Sequence, residues 1–228
     1  MLETNDLEQT YDIPTVTVDV ALFTLIGSEL SILLPYRQVS PYLGSRALPG
    51  GYVHVDKDID LGSTAQRVLA TKANLVSGYF LEQLGTFSGI ARDPRGWSVS
   101  TVYYAVVPFE DVSDDLKKDF INVEQLPPLP FDHNHILDVS IARIRGKSGY
   151  STLPAFMLPK EFTTRELHEV YEKVMNVRLD QSSFRRKIDE LGLLKILDGK
   201  MRKESKSGRP SQIYTLADDV LRQFDRTI

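Results

Sequence analysis

Leu48-Pro49-Gly50-Gly51-Tyr52-Val53 is followed, after a loop carrying Asp56, Asp58 and Asp60, by Leu61-Gly62-Ser63-Thr64-Ala65-Gln66-Arg67-Val68-Leu69-Ala70-Thr71-Lys72. The paired Gly50 and Gly51 let a backbone approach a ligand closely, although paired glycines serve equally in a plain turn. Leu61, Thr64, Ala65, Val68, Leu69 and Lys72 recur at helical spacing, which predicts a helix with Val68 and Leu69 near its buried stripe. The three aspartates then belong to the loop and not to the helix.

On either side the pattern changes to strands. Thr15 to Leu25 and Leu30 to Leu34 are β-branched or apolar runs joined through Gly27-Ser28, which predicts a hairpin. Phe80 to Phe87 and Trp97 to Val107 read as two more strands. Strands flanked by one or two helices give an α+β sandwich.

A chain of 228 residues, 42% of them hydrophobic, suits one large or two small domains with a packed core. No apolar run approaches the roughly 20 residues a membrane helix needs, and the acidic, polar Met1 to Ile13 does not fit a signal peptide. The expected location is the cytoplasm, with no membrane partner. Zero cysteines exclude disulfides, thiolate catalysis and cysteine zinc sites, and His54, His133, His135 and His168 show no metal-ligand spacing. No metal site or cofactor is expected.

Charge divides the chain. Residues 1–159 carry 12 Lys+Arg and 19 Asp+Glu, whereas residues 160–228 carry 15 and 12. A helical pattern over Ile136 to Gly146 leads into the proline-marked Ser151 to Pro159, so a domain boundary is expected between 1–150 and 151–228. The second domain opens on Thr163-Thr164-Arg165-Glu166, a capping-box pattern, with Leu167, Val170, Tyr171 and Val174 then at helical spacing. Asp180 or Ser182 can cap a second helix with Phe184, Ile188 and Leu191 inward, leaving Ser183, Arg185, Arg186 and Lys187 outward; Gly192 ends it. Leu193 to Tyr214 reads as a hairpin with a basic tip.

Helix, turn, basic helix and hairpin form the pattern of a winged helix-turn-helix, which suits double-stranded DNA. Arginine in the major groove makes bidentate contacts to guanine, and wing cations reach phosphates. The DNA-contact candidates are Thr164, Ser182, Ser183, Arg185, Arg186 and Lys187, with Arg202, Lys203, Lys206 and Arg209 in the wing. A basic helical domain for dimerisation or protein binding is the alternative.

Arg92, Asp93, Arg95 and Trp97 bring two guanidinium groups, a carboxylate and an aromatic face into one segment. Such a set can clamp phosphates, accept ribose hydroxyls and stack a base. Asp93-Pro94-Arg95-Gly96 reads equally as a plain turn with Trp97 in the core, and by composition alone that reading is preferred. Arg37 can reach a phosphate or pair with a carboxylate such as Asp19. His133, beside Asp132, fits a surface histidine next to a helix-capping aspartate, or a ligand contact.

Residues 50–75 resemble a Nudix box, G-x5-E-x7-R-E-U-x-E-E-x-G-U, whose glutamates hold magnesium to activate water against a diphosphate. With Arg67 as the box arginine, the glutamate positions hold Val68, Thr71 and Lys72, and Asn74 stands for the glycine. Gly51 to Arg67 spans 16 positions where the box has 14. Lys72 would repel a metal, and Arg67, which normally braces the glutamates, is then left to a ligand phosphate or to structure.

The Leu48 to Val53 segment, Ser88 to Val99, Leu129-Pro130-Phe131-Asp132-His133, Ser183 to Lys187 and Ser207-Gly208-Arg209-Pro210 follow in an order similar to the NrtR family, Nudix-related transcriptional regulators of NAD metabolism. The resemblance implies an N-terminal Nudix-like α/β/α sandwich, a C-terminal winged helix-turn-helix and a homodimer. It also implies an ADP-ribose-type effector site, with Arg37, Gly50, Gly51, Arg67, Arg92, Asp93, Arg95, Trp97 and His133 as candidates. The implied function is repression of NAD biosynthesis or salvage genes. Two alternatives stay open: an active ADP-ribose hydrolase using Asp56, Asp58 or Asp60 as metal ligands, and a regulator of the same architecture answering to a sugar or another nucleotide.

Overall fold

A computed structural model describes residues 13–202, 210–225 and 227–228. The long strand β1 (Thr15–Ile26) is the axis of a mixed sheet whose other strands are β2 (Glu29–Leu33), β3 (Gly50–Tyr52), β4 (Phe80–Gly89), β5 (Ser98–Val106) and β6 (Phe120–Asn122). Strand order is β4-β5-β1-β2-β6, with β3 paired to the first half of β1. Only β5 runs parallel to β1, from Thr15 opposite Ser98 to Phe23 opposite Val106. The predicted hairpin is β1–β2, with Gly27 at φ +60° in its turn.

Alternation along β1 assigns each residue to a face. Val18, Val20 and Leu22 pack with Ala65, Val68 and Leu69 of α1 (Leu61–Lys72), whereas Ala21 and Phe23 pack with Ile136, Leu137 and Ile144 of α3 (His133–Ser148). The sheet is therefore covered on both faces, the α/β/α sandwich expected. Asp60 caps α1 by accepting from the Ser63 amide at 2.7 Å, and Asn74 takes the left-handed conformation just past it at φ +53°. Asparagine tolerates that conformation better than most residues, which accounts for its standing where the box has glycine. The strands β3 and β6, the short helix α2 (Asp114–Lys117) and a 3-10 turn at Leu153–Met157 lie where the sequence pattern signals no element.

The second unit is helix α4 (Thr164–Met175), helix α5 (Gln181–Glu190) and the hairpin β7 (Leu194–Arg202) with β8 (Ser211–Leu216). The capping box at α4 is present: the Glu166 amide donates to Thr163 Oγ1 at 3.2 Å and the Thr163 amide to Glu166 Oε2 at 2.7 Å. Asp180 caps α5 through the Ser183 amide at 2.8 Å. Leu167, Val170, Tyr171, Val174, Phe184 and Ile188 are buried as patterned, while Leu191 is half-buried at the end of α5. These residues share one core with β1, β2, α3 and the 3-10 turn, so apolar packing runs unbroken across position 150. The backbone reinforces it, since the amides of Phe224 and Ile228 return to the carbonyls of Tyr150 and Gly149.

Candidate functional site

A cleft of about 360 Å³ opens beside the paired glycines. Its walls are β1 (Thr17, Asp19), β3, the outer face of α1 from Arg67 to Lys72, and the loops around Arg92 and Phe131. Gly50 faces Asp19 across β1 and β3, and a β-carbon there would lie 2.0 Å from Asp19 Oδ1. Only glycine lets these strands and the carboxylate meet, so Gly50 is required by its approach to Asp19 within a strand pair, a reason that neither the turn nor the ligand reading supplies.

Three of the four expected arginines at the cleft are tied to carboxylates. Arg92, buried, donates to both oxygens of Asp132 at 3.0 Å each and to Ser98 Oγ at 3.1 Å, with Asp19 at 3.7 Å. Arg95 is gripped by Asp93 through Nε at 2.9 Å and Nη2 at 2.6 Å, and reaches the Tyr52 hydroxyl at 2.5 Å. The Arg95 guanidinium holds the Asp93 carboxyl below its usual range. Arg67 donates to Asp58 at 2.7 and 2.6 Å and to the Tyr52 carbonyl at 2.8 Å, so it is kept for structure.

Arg37 is different. It does not pair with Asp19. Its Nε donates to the Pro41 carbonyl at 2.9 Å, and its guanidinium lies 4.9 Å from the centre of the Phe131 ring. Burial first, and the nearby Arg95 second, push its pKa down. A cation disfavoured by burial and by another cation is a group that an anion would stabilise. Lys72, exposed at the end of α1, lines the same cleft, and no described carboxylate lies within ion-pair distance of it.

Several expectations change. Trp97 is 48% exposed and lies outside the cleft lining and outside the core. Asp93 to Gly96 does close a turn, with the Gly96 amide on the Asp93 carbonyl. The aromatic faces of the cleft are Tyr52 and Phe131 instead, neither of them singled out by sequence. His133 is buried and not a surface residue: its Nδ1 accepts from the Leu48 amide at 3.1 Å, so the proton sits on Nε2, and burial pushes its pKa down. Asp132 begins α3 without a side-chain cap, because its carboxylate serves Arg92. Two of the three loop aspartates are also committed, Asp58 to Arg67, Thr64 and the His54 amide, and Asp60 to the α1 cap. Among the described residues, no cluster of three or more His, Asp and Glu is placed to hold a metal.

On the second unit, Asn176 in the left-handed conformation turns the chain between α4 and α5, and His168 Nε2 lies 3.0 Å from the Leu179 carbonyl to fix that turn. Phe184 sits 5.1 Å from the His168 ring and 5.2 Å from Tyr171, which orients α5. Ser182, Ser183, Arg185 and Arg186 are thereby left exposed, Lys187 half-exposed. Arg185 and Arg186 lie 3.9 and 4.0 Å from Asp189 and Glu190, loose surface pairs that a phosphate or base can displace. Thr164 is half-buried at the first turn of α4. Arg202 departs from its expected role: its guanidinium donates to Glu166 at 2.7 Å and to the Glu161 carbonyl, bracing the wing against α4. Lys203, Lys206 and Arg209 lie outside the described residues.

The fold and these two surfaces define a Nudix-like domain joined to a winged helix. Residues 154–216 match the family model of the NrtR DNA-binding winged helix domain. The chain is 34% identical to the ADPR responsive transcriptional repressor NtrR of Acinetobacter baylyi, over 91% of this chain and 84% of that one. It thus belongs to the NrtR family. The Shewanella oneidensis NrtR structure complexed with a 27mer DNA superposes with a TM-score of 0.83 at 32% identity, covering 93% of this chain and 99% of the other. The NUDIX domain of the same protein complexed with ADP ribose matches with a TM-score of 0.51 at 32% identity, over 63% of this chain and 99% of that domain. The ADP-ribose pyrophosphatase of Methanocaldococcus jannaschii is 32% identical over 52% of this chain and 70% of its own length.

Proposed function

We propose that the protein is a transcriptional repressor of NAD biosynthesis or salvage genes whose Nudix-like domain senses ADP-ribose or a related NAD metabolite without hydrolysing it. The observation that carries the reading is the pairing, in one chain, of a cation-lined cleft with a presented basic helix. Arg37 and Lys72 supply charge for a diphosphate, Tyr52 and Phe131 supply aromatic faces, and Asp19 and Asp93 supply acceptors for ribose hydroxyls. Arg92 and Arg95, held by Asp132 and Asp93, border the same space. The similarity to a DNA complex and to an ADP ribose complex of one protein supports both halves.

Non-hydrolysis follows from the box: Val68, Thr71 and Lys72 stand where carboxylates would hold metal, and Asp58 is engaged elsewhere. The similarity to a pyrophosphatase covers about half of this chain and leaves Val68, Thr71 and Lys72 at the box's carboxylate positions. We place the functional boundary at 150/151, the working state as a cytoplasmic homodimer, and the DNA contacts on α5 of each protomer in successive major grooves of a palindromic operator.

Regulation is linkage: ADP-ribose must bind the DNA-competent and DNA-incompetent arrangements unequally. Strand β1 offers a route, since Thr17 and Asp19 line the cleft while Leu25, near its other end, borders a groove against Val170 and Lys173 of α4. The test is fluorescence anisotropy of the full chain on DNA from upstream of NAD-biosynthesis and salvage genes, with and without ADP-ribose. Specific binding whose midpoint moves with ADP-ribose is expected; specific binding indifferent to saturating ADP-ribose overturns the sensor role.

A further inference from the structure

Beside the cleft, and more than twice its volume, lies a second groove of about 820 Å³. The two share Arg37, Thr71 and Lys72 in their walls, so they adjoin along these side chains. Past Lys72 the groove adds Arg46 and Lys118, which do not line the cleft. Residues 1–159 hold only 12 cations against 19 acids, yet four of those cations line this groove. Its single acid, Asp119, is paired with Arg46 at 3.4 Å. Arg46 is further fixed by the Leu34 carbonyl at 2.7 Å and the Tyr36 ring at 4.2 Å, so its charge is held in place. No described carboxylate lies within ion-pair distance of Lys118 or Lys72. Four cations against one acid, three of them without an ion pair among the described residues, form on this acidic domain a field directed at an anion.

We propose that this groove is a second phosphate subsite, which takes the outer phosphates of a nucleotide whose base and first phosphates occupy the cleft. The inference rests on the cleft being the effector site. Lysines are point charges that suit a flexible phosphate chain better than a planar carboxylate fork. The natural occupant is therefore a nucleoside polyphosphate, with more phosphates than the diphosphate of ADP-ribose. Charge added to the ligand lengthwise meets Arg37 and Lys72 first and Lys118 next.

The test is calorimetry on the full chain in chelator-containing buffer, with ADP-ribose, ADP, ATP, adenosine 5′-tetraphosphate and inorganic tripolyphosphate, on the wild type and Lys118→Ala. Lys118 is exposed and lies outside the cleft, so the variant leaves ADP-ribose binding within about twofold. Affinity is expected to rise from ADP to the tetraphosphate by tenfold or more in the wild type, with the nucleotide displacing ADP-ribose. Lys118→Ala should lose most of that gain. Equal affinities across the series, or an undiminished gain in Lys118→Ala, overturns the subsite. Tripolyphosphate that binds through Lys118 as tightly as the tetraphosphate, without displacing ADP-ribose, assigns the groove to free polyphosphate and overturns the nucleotide occupant. Tetraphosphate binding that depends on Lys118 while ADP-ribose binds neither protein sustains the groove and refutes the ADP-ribose reading instead.

Discussion

Asp58 holds Arg67 through two parallel hydrogen bonds, Nε to Oδ1 at 2.7 Å and Nη2 to Oδ2 at 2.6 Å, across the start of α1. A loop carboxylate thus takes the part that helix glutamates play for the arginine of a Nudix box. The two-residue excess between Gly51 and Arg67 supplies the chain length for this arrangement. Through Arg67, which also donates to the Tyr52 carbonyl, this pair ties α1 to β3 without any helix carboxylate.

The Asp58 carboxyl is held well below its usual value, first by Arg67 and then by the His54 amide and the Thr64 hydroxyl. A depressed folded pKa stabilises the fold at pH above the unfolded value near 4, and that stability is lost as pH falls below it. Asp58→Asn should therefore lower the melting temperature at pH 7 and shrink the difference between pH 5 and pH 3. Thermal denaturation across that window checks it; parallel curves for wild type and variant would refute the assignment.

Arg37→Ala should weaken ADP-ribose binding by about tenfold, roughly 1.4 kcal/mol, while leaving the melting temperature of the unliganded protein nearly unchanged. The guanidinium's neighbours are backbone carbonyls and the Phe131 ring, so its loss strands no buried carboxylate. Arg92→Ala should behave oppositely, lowering stability through the abandoned Asp132 and Asp19. Calorimetry and melting of both variants separate the two roles, and equal affinities for wild type and Arg37→Ala would remove Arg37 from the site.

The apolar and helical patterns carry most of the architecture, because α1, α4 and α5 each bury one stripe that sequence alone can mark, and the continuous apolar run of β1 marks a strand buried on both faces. What was not legible is long-range pairing. Nothing near Arg92 in sequence announces Asp132, 40 residues on. His133 reads as surface because its burial depends on Leu48, 85 residues earlier in the chain. Arg202 reads as a DNA contact because the capping glutamate of α4 shows no sign of a second partner. Tyr52 and Lys72 were within reach of a local argument, one adjoining the paired glycines and the other already on the helix beside the cleft.

Hydrolysis of ADP-ribose should stay far below ordinary enzyme rates in magnesium or manganese. Val68 and Lys72 offer a metal no oxygen ligand, and the single loop carboxylate Asp56 cannot replace a set preorganised on a helix. Turnover is read by phosphate release after phosphatase treatment. A rate of about 1 per second or faster would restore the hydrolase reading.

DNA recognition separates the two kinds of arginine in the winged helix. Arg185 and Arg186 are exposed on α5 and only loosely paired, so alanine at a base-reading one should cost about 1–3 kcal/mol at an operator selected from random-sequence DNA. The melting temperature should barely move, because neither side chain is packed. Arg202→Ala should do the reverse. Its guanidinium joins the wing to Glu166 and the Glu161 carbonyl, so its loss should destabilise the second unit and weaken operator and random DNA together. Titrations of the three variants against both DNAs over a salt series, alongside melting curves, give the discriminating measurement. An Arg202→Ala protein of unchanged stability with a salt slope reduced by about one unit would instead make Arg202 a phosphate contact. Two α5 variants with wild-type operator affinity would show that α5 is not the reading helix.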